Sequence, residues 1–96
     1  MTDFCITAVR YSSNGSHIEY VYVNEELPGK IGSNRVVPRA FVADLIRMKK
    51  ATFQTRVETP EGKFRVGAAV HVIDDQYLTT DPNSTKRDNL GNLPQF

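Results

Sequence analysis

The chain has no tryptophan, one cysteine, two histidines and two methionines in 96 residues. A single thiol, Cys5, can close no internal disulfide and can supply no thiolate cluster to a metal, so a disulfide-stapled secreted scaffold is excluded and the cytoplasm is the expected compartment. Long apolar runs are missing too. No segment approaches the ~20 apolar residues of a membrane span, and the first twenty residues lack the basic start and apolar stretch of a secretory leader, so no membrane association is expected. Nor is there a surplus of either charge: 12 Lys and Arg stand against 11 Asp and Glu. A net charge of +1 creates no strong field for drawing in nucleic acid or an anionic membrane, and any such partner would need a local patch. What is present, 40% hydrophobic and 24% charged residues, is the composition of an ordinary globular domain, and a chain of this length supports one core spanning residues 1–96.

Residues alternate from Phe4 to Tyr11, with Phe4, Ile6 and Ala8 opposite Cys5, Thr7, Val9 and Tyr11. The turn Ser12 to Ser16, with Asn14-Gly15 inside it, joins this strand to a second alternating run, His17 to Asn24, in which Ile18, Tyr20 and Tyr22 oppose Glu19, Val21 and Val23. Glu25 to Asn34, rich in Gly and charge, reads as a loop. Pro38 suits the first turn of a helix because its missing N–H would have no partner there, and Arg39 to Lys50 continues it. At 100° per residue Phe41, Val42, Leu45, Ile46 and Met48 fall on one stripe, with Arg39, Ala43, Arg47 and Lys50 on the opposite, solvent side. Strands follow at Thr52 to Glu58 and Lys63 to Ile73, joined by Pro60-Glu61-Gly62; Asp74-Asp75 then reverses the chain into a short strand at Tyr77 to Thr80. The predicted fold is α+β: a mainly antiparallel sheet of about five strands, in the order strand-strand-helix-strand-strand-strand, with one amphipathic helix packed on one face. The tail, residues 81–96, ends in Leu90, Leu93, Pro94 and Phe96 and is expected to fold back on the sheet.

Two stretches of the C-terminal region carry a resemblance. Tyr77-Leu78-Thr79-Thr80 followed by Asp88-Asn89-Leu90-Gly91-Asn92-Leu93-Pro94 resembles the closing signature of a family of small uncharacterised bacterial proteins, a Tyr-Leu-x-Thr strand and then Asp-Asn-Leu-x-x-Leu-Pro. The resemblance implies a compact domain of bacterial or phage origin and carries no reaction with it. In physical terms Tyr77, Leu78, Thr80, Asp88, Asn89, Leu90, Leu93 and Pro94 are expected to be structural, with Leu90 and Leu93 three residues apart and turned inward.

Catalytic chemistry finds little support. Cys5, His17 and His71 are the only residues from which a thiol-imidazole pair could be built, and Cys5 in an alternating strand reads as a packed residue. Ser12, Ser13 and Ser16 are turn residues outside any nucleophile elbow. Asp81, Asn83, Thr85 and Asp88 imitate the start of a calcium loop, but Lys86 stands where Gly is needed and Asn92 where Glu is needed. Gly29, Lys30 and Gly32 lack the spacing of a phosphate loop. No enzyme, cofactor or metal is therefore expected.

Charge is nonetheless unevenly placed. Residues 34–65 hold eight Lys and Arg against three Asp and Glu. Arg39, Arg47, Lys50, Arg56 and Arg65 are the candidates for a basic surface that could hold nucleic acid by phosphate contacts. Tyr11, Tyr20 and Tyr22 are the candidates for an exposed aromatic sheet face, which could stack bases of a single strand and equally suits a protein partner. A short sheet with open edges also invites a homodimer. The leading expectation is a non-enzymatic accessory module that binds a protein or itself, with nucleic-acid binding as the alternative.

Overall fold

The structure, a computed structural model, describes residues 2–15, 17–80, 90, 91 and 93–96. Its elements run β1 (Phe4–Tyr11), β2 (Ile18–Leu27), β3 (Lys30–Ile31), β4 (Arg35–Pro38), α1 (Arg39–Arg47), β5 (Phe53–Glu58), β6 (Phe64–Ala69), β7 (His71–Ile73) and β8 (Tyr77–Thr79). The α+β reading holds, but the sheet is mixed and has more strands than expected. Among the described residues six strands form one sheet in the order β3-β2-β1-β5-β6, with β4 also on β2, and β7 pairs with β8 in a separate two-stranded sheet.

The departure from an antiparallel sheet lies at its centre. β1 pairs antiparallel with β2 but parallel with β5, through Phe4–Phe53, Cys5–Gln54 and Ile6–Thr55. Parallel neighbours need a long crossover, and β3, β4 and α1 lie along it. The segment expected to be a loop, residues 25–34, instead carries the end of β2 and all of β3. β4 follows directly and places Val36 opposite Tyr22 and Pro38 opposite Tyr20.

Buried Asn24 holds this return in place. Its side-chain oxygen accepts the Thr7 hydroxyl at 2.9 Å, and its amide donates to the Gly32 carbonyl at 2.9 Å and to Asn34 Oδ1 at 2.6 Å. A buried amide with both ends satisfied costs little and fixes one loop path.

The helix is shorter than predicted and rotated. Pro38 is its N-cap, and Val42 and Ala43 are its buried residues, while Phe41 and Met48 are 54% and 53% exposed. Ala43, expected on the solvent side, therefore faces the core. The cause is the entry of the chain: β4 runs into α1 without a loop, so the pairing of β4 on β2 fixes the rotation of the helix. Arg39 is turned inward as well. Its Nε donates to the Ile18 carbonyl at 3.1 Å, a guanidinium N–H donates to the Gln76 carbonyl, and the guanidinium lies over Tyr77 at 5.7 Å from the ring centroid.

Val42 and Ala43 of α1 form one core with Val21 and Val23 of β2, Ile6 and Val9 of β1, Phe53 of β5, Leu78 of β8, and Leu90 and Leu93 of the tail. Where it is described, the end of the tail is bonded to β1. Val9 N–H donates to the Pro94 carbonyl at 2.9 Å and Phe96 N–H to the Val9 carbonyl at 3.0 Å. Residues 94–96 thus run parallel to β1 beyond the point where β5 ends its pairing. Among the described residues no helix is long and apolar enough to cross a membrane.

Candidate functional site

Alternation along β2 assigns its two faces. Val21 and Val23 enter the core beneath α1, so Tyr20, Tyr22, Asn24 and Glu26 point to the opposite face. Cross-strand register adds Arg10 opposite Tyr20, and Pro38 and Val36 opposite Tyr20 and Tyr22. The tail completes the group: the Phe96 ring stacks on Tyr22 with centroids 3.9 Å apart, and Arg10 lies over Phe96 at 5.0 Å while its Nε donates to the Phe96 backbone oxygen at 2.9 Å. Val36 is 59% exposed and Tyr20, Tyr22 and Phe96 are half-buried. The result is an aromatic and aliphatic patch edged by one cation.

Two of the three predicted tyrosines belong to this patch. Tyr11 does not, because a register shift between Arg10 and Tyr11 sets it opposite Ile18 and packs it against the core. A second shift, between Ile6 and Ala8, reverses the faces of β1, which is why Val9 is in the core and Ala8 sits opposite Tyr22. Sequence reasoning missed Arg10, Val36 and Phe96. The only available signal for Phe96 was an aromatic residue too apolar for a free end.

Along the same face, toward the other end of β2, lies a polar cluster. Glu26 accepts from Arg56 Nε at 2.7 Å and Nη2 at 2.8 Å and from Gln54 Nε2 at 2.7 Å, and Arg56 Nη1 donates to the Phe64 carbonyl at 3.0 Å. The fork geometry holds Glu26 charged, with the Arg56 hydrogen bonds pulling its pKa below the ordinary carboxylate range and burial opposing them. Cys5 touches this carboxylate. Burial, then the charge of Glu26 and a hydrogen bond to it, push the thiol up to about 12. Cys5 is thus a protonated packed residue, and a thiolate nucleophile is not formed there near neutral pH. Two clefts flank Arg56, one of ≈ 650 Å³ that includes Gln54, Glu26 and Lys50, the other of ≈ 690 Å³ that includes Lys30, Lys63 and Phe64.

The predicted basic surface is dispersed by these contacts. Arg39 and Arg56 are held within the fold, Arg47 pairs with Asp44 at 3.3 Å on the exposed side of α1, and Lys50 and Arg65 are exposed. His17 stacks on Tyr77 at 5.0 Å, and His71 pairs with Thr79 in the β7–β8 hairpin. Of the signature residues, Leu78, Leu90 and Leu93 are buried, Tyr77 and Thr80 are half-buried and Pro94 is exposed. Asp88 and Asn89, with the calcium-like loop Asp81, Asn83 and Thr85, lie outside the described residues. Among the described residues no three His, Cys, Asp or Glu side chains gather to hold a metal.

Fold and face together define a small α+β domain with one sheet face covered by a helix and the other carrying an aromatic patch. Residues 5–94 match the family described as protein of unknown function DUF3892, and the chain belongs to that family. No curated protein and no solved structure matches it.

Proposed function

We propose that this chain is a non-enzymatic accessory module of the cytoplasm that binds a protein partner or another copy of itself through the face of its sheet opposite α1. The observation that supports the reading is the patch of Tyr20, Tyr22, Val36, Pro38 and Phe96, with Arg10 at its margin. Tyr, Phe and Arg are the side chains enriched in protein interfaces, and a Tyr–Phe stack offers contact area already ordered before binding. One buried thiol suits a reducing compartment. Nucleic-acid binding, the alternative reading, has less support, since Arg39 and Arg56 are engaged within the fold.

The test compares capture by the wild-type domain with capture by Val36→Glu, an exposed substitution that leaves the core untouched. A protein held by the wild type and released by Val36→Glu at unchanged melting temperature supports the reading. Equal capture by both, or binding of short DNA or RNA that weakens steeply with salt, argues against it.

A further inference from the structure

Two hairpins bring lysines to one side of Arg56. Pro28-Gly29, with Gly29 at φ 75°, turns β2 into β3 and sets Lys30 opposite Leu27. Gly62, at φ 82°, lies in the β5–β6 turn, where the Thr59 N–H donates to the Lys63 carbonyl and Lys63 leads directly into Phe64. The cleft of ≈ 690 Å³ between these turns is lined by Leu27, Ile31 and Phe64 as well as by Lys30, Lys63 and Arg56. Small-ligand pockets usually measure about 300–1,000 Å³ and combine an apolar wall with a few charged or polar groups, and this cleft has both properties.

The charged side chains that line the cleft are all cations, but they do not count equally. Arg56 is neutralised by Glu26, whose two carboxylate oxygens accept from its Nε and Nη2, whereas Lys30 and Lys63 are exposed at the cleft. The bonds to Glu26 and to the Phe64 carbonyl occupy three of the five guanidinium N–H donors, so Arg56 can add a hydrogen bond without adding net charge. The charge offered to a ligand is thus that of the two ammonium groups, and a cleft lined by one sign of charge focuses its field on an anion.

We propose that this cleft binds a small phosphate monoester with an apolar organic group, the phosphate held by Lys30 and Lys63 and the organic group resting on Leu27, Ile31 and Phe64. A phosphate monoester carries nearly two negative charges at neutral pH and so matches the two lysines, where a carboxylate would match one. Lysine binds phosphate as a point charge on a flexible stem, while planar carboxylates are better matched by the fork of an arginine, and the fork here is already taken by Glu26. Inorganic phosphate would satisfy the cations and leave the apolar wall unused. The site lies toward the opposite end of β2 from the aromatic patch and goes beyond the proposed partner binding.

The probe is phenyl phosphate, titrated into the wild-type domain by calorimetry beside inorganic phosphate and benzoate. Phenyl phosphate should saturate one site with a dissociation constant of about 1 mM or lower at pH 7.5, and each of the other two should bind about tenfold more weakly or worse. Its affinity should fall as pH drops through the second ionisation of the phosphate, near ~6, and that of benzoate should not follow it. Lys30→Ala and Lys63→Ala, both exposed substitutions, should each weaken binding about tenfold at unchanged melting temperature, whereas Lys50→Ala, in the other cleft beside Arg56, should leave it unchanged. Failure to saturate by about 10 mM overturns the proposal. Equal affinity for phenyl phosphate and inorganic phosphate overturns it too, since the cleft would then hold an adventitious ion only, and so does undiminished binding in the Lys30→Ala and Lys63→Ala double variant. Val36→Glu should bind phenyl phosphate as the wild type does, so failure of this site is distinguishable from loss of a partner on the aromatic patch.

Discussion

Lys49 has φ 58°, the left-handed conformation in which a side chain is strained, and it sits where α1 ends. Lys50 N–H donates to the Leu45 carbonyl and Lys49 N–H to the Ile46 carbonyl, the paired bonds of a Schellman ending that usually employs glycine. Lys49→Gly should therefore stabilise the domain by about 0.5–1 kcal/mol, seen by calorimetry as a melting temperature higher by several degrees. Ionisation sets two further limits. Glu26 has a folded pKa below its unfolded value, through the Arg56 hydrogen bonds, so its contribution is present above about pH 4.5 and is lost as pH falls through the folded value. Glu26→Gln should weaken the domain at neutral pH and flatten the acid limb of a melting-temperature profile. Cys5 behaves in the opposite sense. Its folded pKa of about 12 lies above the 9.0 of an ordinary thiol, so the stability it gives is complete below 9 and declines as pH rises toward 12. The same burial predicts that iodoacetamide at pH 8 labels Cys5 only as fast as the domain opens, and fast labelling of native protein would contradict it.

At the level of elements, strands with long alternation and turns with Gly or Asp pairs were legible, and pairing partners were not. The reversal at Asp74-Asp75 is present, both residues having positive φ, and Gly62 closes the β5–β6 turn with φ 82°. β4 escaped because Arg35-Val36-Val37-Pro38 is four residues long and ends in proline, so nothing local marks it as paired; β2 makes it a strand. The parallel β1–β5 pair escaped because parallel and antiparallel strands share one alternation. Faces were misassigned wherever a bulge intervened, as with Tyr11 and Val9, since one inserted residue inverts every later side chain. The aromatic patch was accordingly half visible: Tyr20 and Tyr22 could be named, but their neighbours Val36 and Phe96 depend on pairings between distant segments. Gly67 shows such a dependence at one atom. A Cβ there would collide with the Thr55 hydroxyl, so Gly67→Ala should cost about 1–3 kcal/mol, and much less in a Thr55→Ala background. Chemical denaturation of the four proteins of that cycle gives the coupling, and additive effects would mean that β6 moves aside freely.

For the molecule as a whole, the described end of the tail is part of the core. Leu90 and Leu93 are 4% and 8% exposed and pack with the residues beneath α1. Each Leu→Ala should cost about 2–5 kcal/mol, a large share of the net stability of about 5–15 kcal/mol usual for a domain, so the double variant or truncation after Arg87 should melt far lower or not fold. A truncated domain that melts like the intact one would make the signature a recognition surface instead. The join between β1 and residues 94–96 also gives one amide a particular meaning. Val9 is in the interior of the sheet, yet its N–H is held by Pro94, a residue 85 positions away in the chain, while the amide of Phe4, near the start of the same strand, is held by Thr52. In hydrogen–deuterium exchange the two protons would report separate events. If the tail lifts off while the sheet stays closed, Val9 exchanges early and Phe4 late; if both exchange together, the first strand and the last residues open as one cooperative unit.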